Sequence, residues 1–476
     1  MDKKNESRKK SILLVTAVTA LFLLSGLNAN ALTSQSIEKD ESSEEAVYDL
    51  LVLTPKRFTK QLEPLVEHKN DIGVETKMVS LPVVYEEMFW QGRDKAEKIK
   101  YFIKKSHETW GVEYVLLVGG RKNQLPSESW WMPVRYTHLS RHYDNLPEGK
   151  FLTDLYFADL YDSENNFCSW DDDNDGVFGE WPINNSAVDT PDLYPDVYVG
   201  RLPCRNILDV KIAVDKIINY ETNSFHNSNS DRILLIAGDT YINKTPDSID
   251  GEAHTQEALK YMTGFEPVKI FASKGNLKWY NMVKEINRGC DFVFFSGHGS
   301  PNSWGTHPPN NSEKWIGHLK LHHMPFLLNR QKLPIVVSAS GCFNNMFNVS
   351  LTHSEWVYLF GIPSGVPRCW GETLALKPFG GSIAVIASTG FSYESSDIDG
   401  DVGGCEWLDI HFFEEYNSSD NQILGECWGD TIKRFLQNFS IDWSDQSKTG
   451  DALMAKNVEQ WLLIGDPSLK IGGYKK

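Results

Sequence analysis

Five short segments constrain this chain more than anything else in it. YVLLVGG (114–120), ILLIAGD (233–239), FVFFSGHG (292–299), IVVSASGC (335–342) and SIAVIAST (382–389) are each apolar, rich in β-branched or aromatic residues, and closed by glycine or a small polar residue. Continuous apolar runs of this length fit strands buried on both faces of a parallel sheet. The stretches between them fit the crossover helices that such a sheet needs. Lys95–Trp110, for example, sets Ala96, Ile99, Phe102, Ile103 and Trp110 on one helical stripe.

The pattern occurs in two halves. In the first, strands at Tyr48–Thr54, Val74–Val79 and Tyr114–Val118 alternate with helices at Pro55–Asn70 and Lys95–Trp110. An aspartate-rich irregular stretch follows over 154–196, then a strand at Val197–Leu202 and a helix at Ile207–Asn223. The second half repeats the plan with strands at 233–237, 268–271, 292–295, 335–338 and 382–387. Its helices are expected at 252–262, 277–287, 425–437 and 451–463. The expectation is an α/β fold of two adjacent, open, mostly parallel sheets flanked by helices. An N-terminal subdomain over 47–226 meets a C-terminal subdomain over 227–476 at the polar HNSNS segment.

Upstream, basic residues at 3–10 precede the apolar run Ile12–Leu27 and the small-x-small site Ala29-Asn30-Ala31. These are the parts of an export signal over 1–31, followed by an acidic linker or short pro-segment over 32–46. A secreted protein is expected, with membrane contact only if the signal is not cleaved. The net charge of −17 opposes a nucleic-acid partner. The seven cysteines leave at least one thiol unpaired, and no CxxC pair points to zinc.

Asp239, His298 and Cys342 each stand just past the carboxyl end of an expected core strand, where open parallel sheets bind ligands. A thiol needs a base to become a thiolate, an imidazole can serve and later protonate a leaving amine, and a carboxylate can orient it. Glycines flank both key residues, so the N–H groups of Gly299 and Cys342 are candidates for an oxyanion hole. Asp171, Asp173 and Asp175, with Gly176 in sixth place, have the spacing of a wrapped calcium loop. Position 12 is Pro182, so Glu180 or a distant carboxylate must complete the set.

The blocks FFSGHGSPNSWG (294–305) and IVVSASGCFNN (335–345) resemble the catalytic blocks of the gingipain family of cysteine peptidases, catalytic domain only. YVLLVGG, DLYFADL (154–160), DVYVGRLP (196–203), SIAVIAST and IGDPSL (464–469) extend the resemblance in order over most of the chain. It implies a caspase-like fold and a cysteine endopeptidase acting on protein or peptide substrates. Cys342 would be the nucleophile, His298 the base, Gly299 an oxyanion donor and Asp239 the acid supporting the histidine. It also implies structural calcium and cleavage after Arg or Lys. Asp250, eleven residues beyond Asp239, is the candidate substrate-binding carboxylate, the alternative being a helix cap. Two other readings are a catalytically degenerate calcium-dependent binding protein and a transpeptidase using the same Cys/His pair. The segment between His298 and Cys342, with His307, His318, His322 and His323, reads as an inserted surface loop, and adhesin domains like those of some family members are not expected from these residues.

Overall fold

The computed structural model describes residues 47–474, apart from 126, 140, 144–145, 183, 224–230, 242–248, 331, 353–364, 396–402, 421 and 447–449. The export signal, the acidic linker and the polar segment at 224–230 lie outside the described residues.

Ten strands of the described residues form one sheet. They are β1 (Leu50–Thr54), β2 (Thr76–Ser80), β3 (Tyr114–Val118), β4 (Tyr198–Leu202), β5 (Arg232–Ala237), β6 (Glu266–Phe271), β7 (Phe292–Ser296), β8 (Ile335–Ala339), β9 (Ala384–Ser388) and β10 (Trp461–Ile464). Their spatial order is β6-β5-β7-β8-β9-β10-β4-β3-β1-β2. Every neighbouring pair is parallel except β9 and β10. The two expected half-sheets are both present, they run in opposite directions, and they meet edge to edge at β10. Their carboxyl ends therefore open at opposite edges of the sheet.

The join is narrow. β10 meets β4 through one registered pair, Ile464 with Arg201, and Gly465 N donates to Arg201 O at 3.0 Å. A Cβ on Gly200 would sit 2.5 Å from the Gly465 carbonyl, so only glycine fits that approach. The buried Arg201 guanidinium grips Asp154 with two bonds of 2.6 and 2.7 Å. A guanidinium out of water needs this forked pairing with a carboxylate. The DLYFADL, DVYVGRLP and IGDPSL blocks thus serve the junction.

The second half is buried on both faces, as its composition requires. Ile233, Leu235, Phe292, Phe294, Ile335 and Val337 belong to one apolar core; Leu234, Ile236, Val293, Phe295 and Val336 belong to the other. Alternate residues of each strand feed opposite sides. Helices at Asp250–Leu259, Trp279–Asn287 and Cys405–Ser418 flank this half, and the helix at Leu424–Asn438 packs against the last of these and against β4. One expected helix, 451–463, divides: the helix ends at Gln460 and the next residue opens β10. WLLI is too short for its period to distinguish a strand from one more helical turn. All seven cysteines are free thiols, and six are buried.

Glu459, near the end of that helix, is a buried carboxyl that accepts from Thr137 Oγ1 at 3.1 Å. Burial pushes its pKa up from the usual carboxylate range to about 8. The folded state thus holds a proton that the unfolded chain has released. This contribution to stability is complete below the unfolded pKa and is lost as pH rises through about 8. For Glu459→Gln we expect the melting-temperature advantage over wild type to grow between about pH 5 and 8, by about 1 °C per kcal/mol relieved in a folded unit of this size. A difference that is flat with pH in scanning calorimetry would refute this.

Candidate active site

Parallel pairing of β5, β7 and β8 brings three strand ends side by side. β5 leads into Gly238-Asp239-Thr240-Tyr241, β7 into Gly297-His298-Gly299, and β8 into Ser340-Gly341-Cys342-Phe343. His298 opens a small antiparallel sheet of His298–Ser300, Ser303–Thr306 and Ile316–Lys320. This sheet lies against the cysteine loop. A Cβ on Gly299 would be 2.5 Å from both the Cys342 carbonyl oxygen and the Gly341 carbonyl carbon. Asn344 Nδ2 ties the two loops by donating to Ser300 O at 2.8 Å and Ser303 O at 3.2 Å.

The cysteine turn is strained. Ser340 and Phe343 on either side of Cys342 have φ of 55° and 61°, a left-handed conformation that costs about 1–3 kcal/mol for such residues. Neighbours hold both in place: the Ser340 hydroxyl donates to Glu394, and Phe343 N donates to Gly390 O at 3.0 Å. The Cys342 N–H donates to Ser340 O at 2.9 Å. One of the two candidate oxyanion donors thus serves the tight turn here.

His298 Nε2 lies 3.0 Å from the Thr240 carbonyl oxygen. A carbonyl only accepts, so the proton of the neutral ring belongs on Nε2 and the Nδ1 lone pair is the basic one. Asp250 fixes Thr240 in turn. Its carboxylate accepts from Thr240 N at 2.6 Å, Tyr241 N at 2.8 Å and Gly251 N at 2.7 Å. Both oxygens of Asp250 thus accept from main chain, which fixes where its carboxylate stands. Its physical role is to set the loop whose carbonyl holds the imidazole.

Asp239 has main-chain partners of its own beside this loop. It is buried, its Oδ2 accepts from Asn310 N at 2.9 Å, and its main chain bridges to His307 through Asp239 N and His307 O at 3.0 Å. Burial raises its pKa; the Asn310 bond and the nearby His307 oppose that rise. Asp239 therefore anchors the 307–310 segment, and the Thr240 carbonyl is what grips His298 Nε2. The loop between His298 and Cys342 is an ordered part of the site: the His307 and Trp315 rings lie 5.5 and 5.2 Å from that of His298.

Cys342 is the one cysteine that is not buried. Its sulfur lies 3.2 Å from Ser392 Oγ and accepts from Ser392 N at 3.4 Å. Burial of the sulfur raises its pKa, and the two Ser392 donors offset part of that rise. At neutral pH the resting group is a thiol that needs a base. Ser392 lies on a strap that follows β9, lashed from behind by buried groups. Glu148 accepts from Phe391 N at 3.0 Å, Lys456 donates to Glu148 at 2.6 Å, and Gln460 Nε2 donates to Phe391 O at 2.7 Å. Sequence reasoning missed Ser392, Glu148 and Lys456. The SIAVIAST block ends three residues before Ser392 and marks the strand, whereas Glu148 and Lys456 carry no local signal.

At the acidic loop, carboxylate oxygens of Asp171, Asp173 and Asp175 all lie within 4.8 Å of one another. Burial raises the pKa of Glu180, and the charges of those three aspartates raise it further, so all four acids share one field. Arg93 neutralises one edge through Asp171 Oδ2 at 2.5 Å. An all-oxygen set with this residual negative charge fits a hard divalent cation such as calcium.

A thiol and an imidazole on touching loops at one edge of an α/β sheet define the class to which solved structures can be compared. The crystal structure of the Arg specific cysteine proteinase gingipain R superposes with TM-score 0.59 at 19% identity, over 90% of this chain and 79% of that one. The complex of the pro- and mature domains of that enzyme from Porphyromonas gingivalis gives 0.56 at 19% identity, over 89% and 79%. The fold is therefore caspase-like α/β. In sequence the chain is 24% identical over 450 residues to gingipain R2 of P. gingivalis, covering 89% of this chain and 46% of that protein. Gingipain R1 of the same species gives 24% identity over 89% of this chain and 34% of its own length. The chain spans less than half the length of these curated relatives. Residues 43–472 match peptidase family C25, and the chain belongs to that family.

Asp250→Ala removes the acceptor for three main-chain donors, at least two of them needed to hold Thr240 and Tyr241. We expect unfolding stability to fall by about 1–3 kcal/mol in urea melts. A change below about 0.3 kcal/mol would show that the carboxylate does not hold the loop.

Proposed function

We propose that this chain is an exported cysteine endopeptidase that cleaves protein or peptide substrates, with Cys342 as nucleophile and His298 as acid–base partner. The observation that carries the reading is the packing of Gly299 onto Gly341 and Cys342, which puts the imidazole-bearing loop against the least buried thiol of the chain. In the proposed reaction His298 Nδ1 takes the proton of Cys342 Sγ, and the thiolate attacks the scissile carbonyl to form a C–S bond. The C–N bond then breaks while Nδ1 returns its proton to the leaving amine. Water attacks the thioester, gives a proton to Nδ1, and the C–S bond breaks to restore the thiol. The Thr240 carbonyl keeps the ring in one tautomer through this cycle and stabilises the imidazolium.

Cleavage after Arg or Lys is a finer reading that rests on kinship with an enzyme described as Arg specific. Asp250 is the candidate carboxylate for that basic side chain, held in place by its backbone donors. Export is supported by the basic and apolar start of the sequence and its small-x-small site. No helix of the described residues is long and apolar enough to cross a membrane.

Cys342→Ala and His298→Ala are each expected to lower kcat on a mixed peptide library by about 10³-fold or more, since either loss disables the pair as a unit. Circular dichroism serves as the folding control. Near-wild-type turnover in the Cys342→Ala protein ends the proposal.

We further propose that Asp171, Asp173, Asp175 and Glu180 hold a structural calcium ion. When bound, the ion neutralises carboxylates that otherwise repel; this chain contributes the oxygens and the Arg93 brace. Calcium at a hundred times its Kd is expected to stabilise the fold by about 2.7 kcal/mol, an effect lost on chelation and in Asp173→Ala. A melting temperature unmoved by both treatments would exclude a structural ion.

A further inference from the structure

Trp315 has no evident duty in the core. It is 48% exposed, yet its ring is held 4.0 Å from that of the buried His307 and 5.2 Å from that of His298. Several bonds fix it there. His307 Nδ1 pairs with Lys314 O at 3.0 Å, and Lys314 N donates to Asn311 Oδ1 at 3.1 Å. Asp239 holds both His307 O and Asn310 N, and the next residue, Ile316, pairs with Thr306 in the hairpin of His298. The indole itself lies over Gly305, where an added Cβ would already be 3.7 Å from Trp315 Cε3; Gly305 is the residue that pairs with His298. An aromatic face that is half open to water and fixed before anything binds spends little ordering entropy on a ligand.

We propose that Trp315 forms an apolar subsite for the residue that follows the scissile bond, selecting substrates with an aromatic or aliphatic side chain there. This rests on the catalytic reading of His298 given above. The imidazole hands its proton to the leaving nitrogen, so the leaving chain passes beside the imidazole, and the indole borders that path. The acyl residue stays bonded to Cys342, whose near neighbours are Ser392 and its strap. The indole offers a flat apolar surface that stacks with rings and covers aliphatic chains. An acidic side chain gains nothing from it, because the quadrupole of the ring face repels negative charge.

The test uses fluorescence-quenched peptides that share one acyl side and differ only in Phe, Leu, Gly or Asp after the scissile bond. For wild type, kcat/KM is expected to favour Phe and Leu over Gly by roughly tenfold, the scale of one aromatic contact. In Trp315→Ala that ratio should collapse towards one, and in Trp315→Phe it should largely return. Each ratio is taken within one protein, so a partly folded variant does not distort it. A separate arm labels wild-type Cys342 with a peptidyl chloromethyl ketone, which carries no leaving peptide. If labelling and cleavage are both absent, the catalytic reading falls and this one with it. If the wild type is labelled and cleaves but shows no such preference, or if Trp315→Ala keeps it, the subsite is overturned. If Trp315→Ala instead alters selection on the acyl side, it is overturned too.

Discussion

Burial of β5, β7 and β8 on both faces is the constraint from which the site follows. Apolar side chains fill these strands, and the serines they carry, Ser296 and Ser338, stand near the carboxyl ends, because a polar group deeper in the core is costly to leave unpaired. Chemistry is possible only where the chain leaves the sheet, and parallel pairing sends all three exits to one edge. The glycines at those exits then do steric work. Gly299 closes to 2.5 Å, measured from the Cβ it lacks, on the cysteine turn, so that turn and the histidine loop touch through main chain rather than through long side chains. Main-chain contact fixes their spacing more firmly than a pair of rotamers does.

The same constraint explains how much was legible in the sequence. Strand cores and the residues just past them are local facts of composition, so β3, β5, β7 and β8, along with His298 and Cys342, stand out without any alignment. Lys95–Trp110 is legible to the residue, because Asp94 caps its start by accepting from Glu97 N and Gly111 ends it at φ 73°. What sequence does not carry is which partner a polar group finds across the fold. Asp239 and Asp250 were sensible candidates for the histidine and the substrate. Both turn out to bind main-chain N–H groups of nearby loops, which a carboxylate does readily and which no spacing rule announces. Ser392, Glu148 and Lys456 reach the cysteine turn only because β9 and β10 are neighbours, and β10 itself was hidden at the end of a helix.

β10 also decides how the halves relate. It is antiparallel to β9 and parallel to β4, so the direction of the sheet reverses there. The active edge of the second half then faces away from the strand ends of the first. This explains why Gly119 and Gly120, which also close an apolar strand, belong to packing: a Cβ on Gly119 would meet Met132, and Gly120 N donates to Cys204 O at 2.8 Å. The buried Arg201–Asp154 pair at the junction is a specific device more than a stabilising one, since an ion pair out of water gains little over apolar packing. Its value lies in register, because only one alignment of β4 satisfies both bonds.

The proton inventory of the site sets its working order. Burial raises the pKa of Cys342, and Glu148, the nearest acid behind it, raises it further. Lys456 opposes Glu148, but its ammonium is paired at 2.6 Å with that same carboxylate, so the two charges largely cancel at the sulfur. The sulfur therefore rests as a thiol, and the proton facing the Thr240 carbonyl belongs on Nε2 of His298. Because Thr240 O offers a dipole and not a full charge, it holds the ring without fixing a second proton on it. A carboxylate in that place would favour the imidazolium at rest and weaken Nδ1 as a base. In the proposed reaction the positive charge would form chiefly as the thiolate forms, when the preorganised carbonyl dipole counts most.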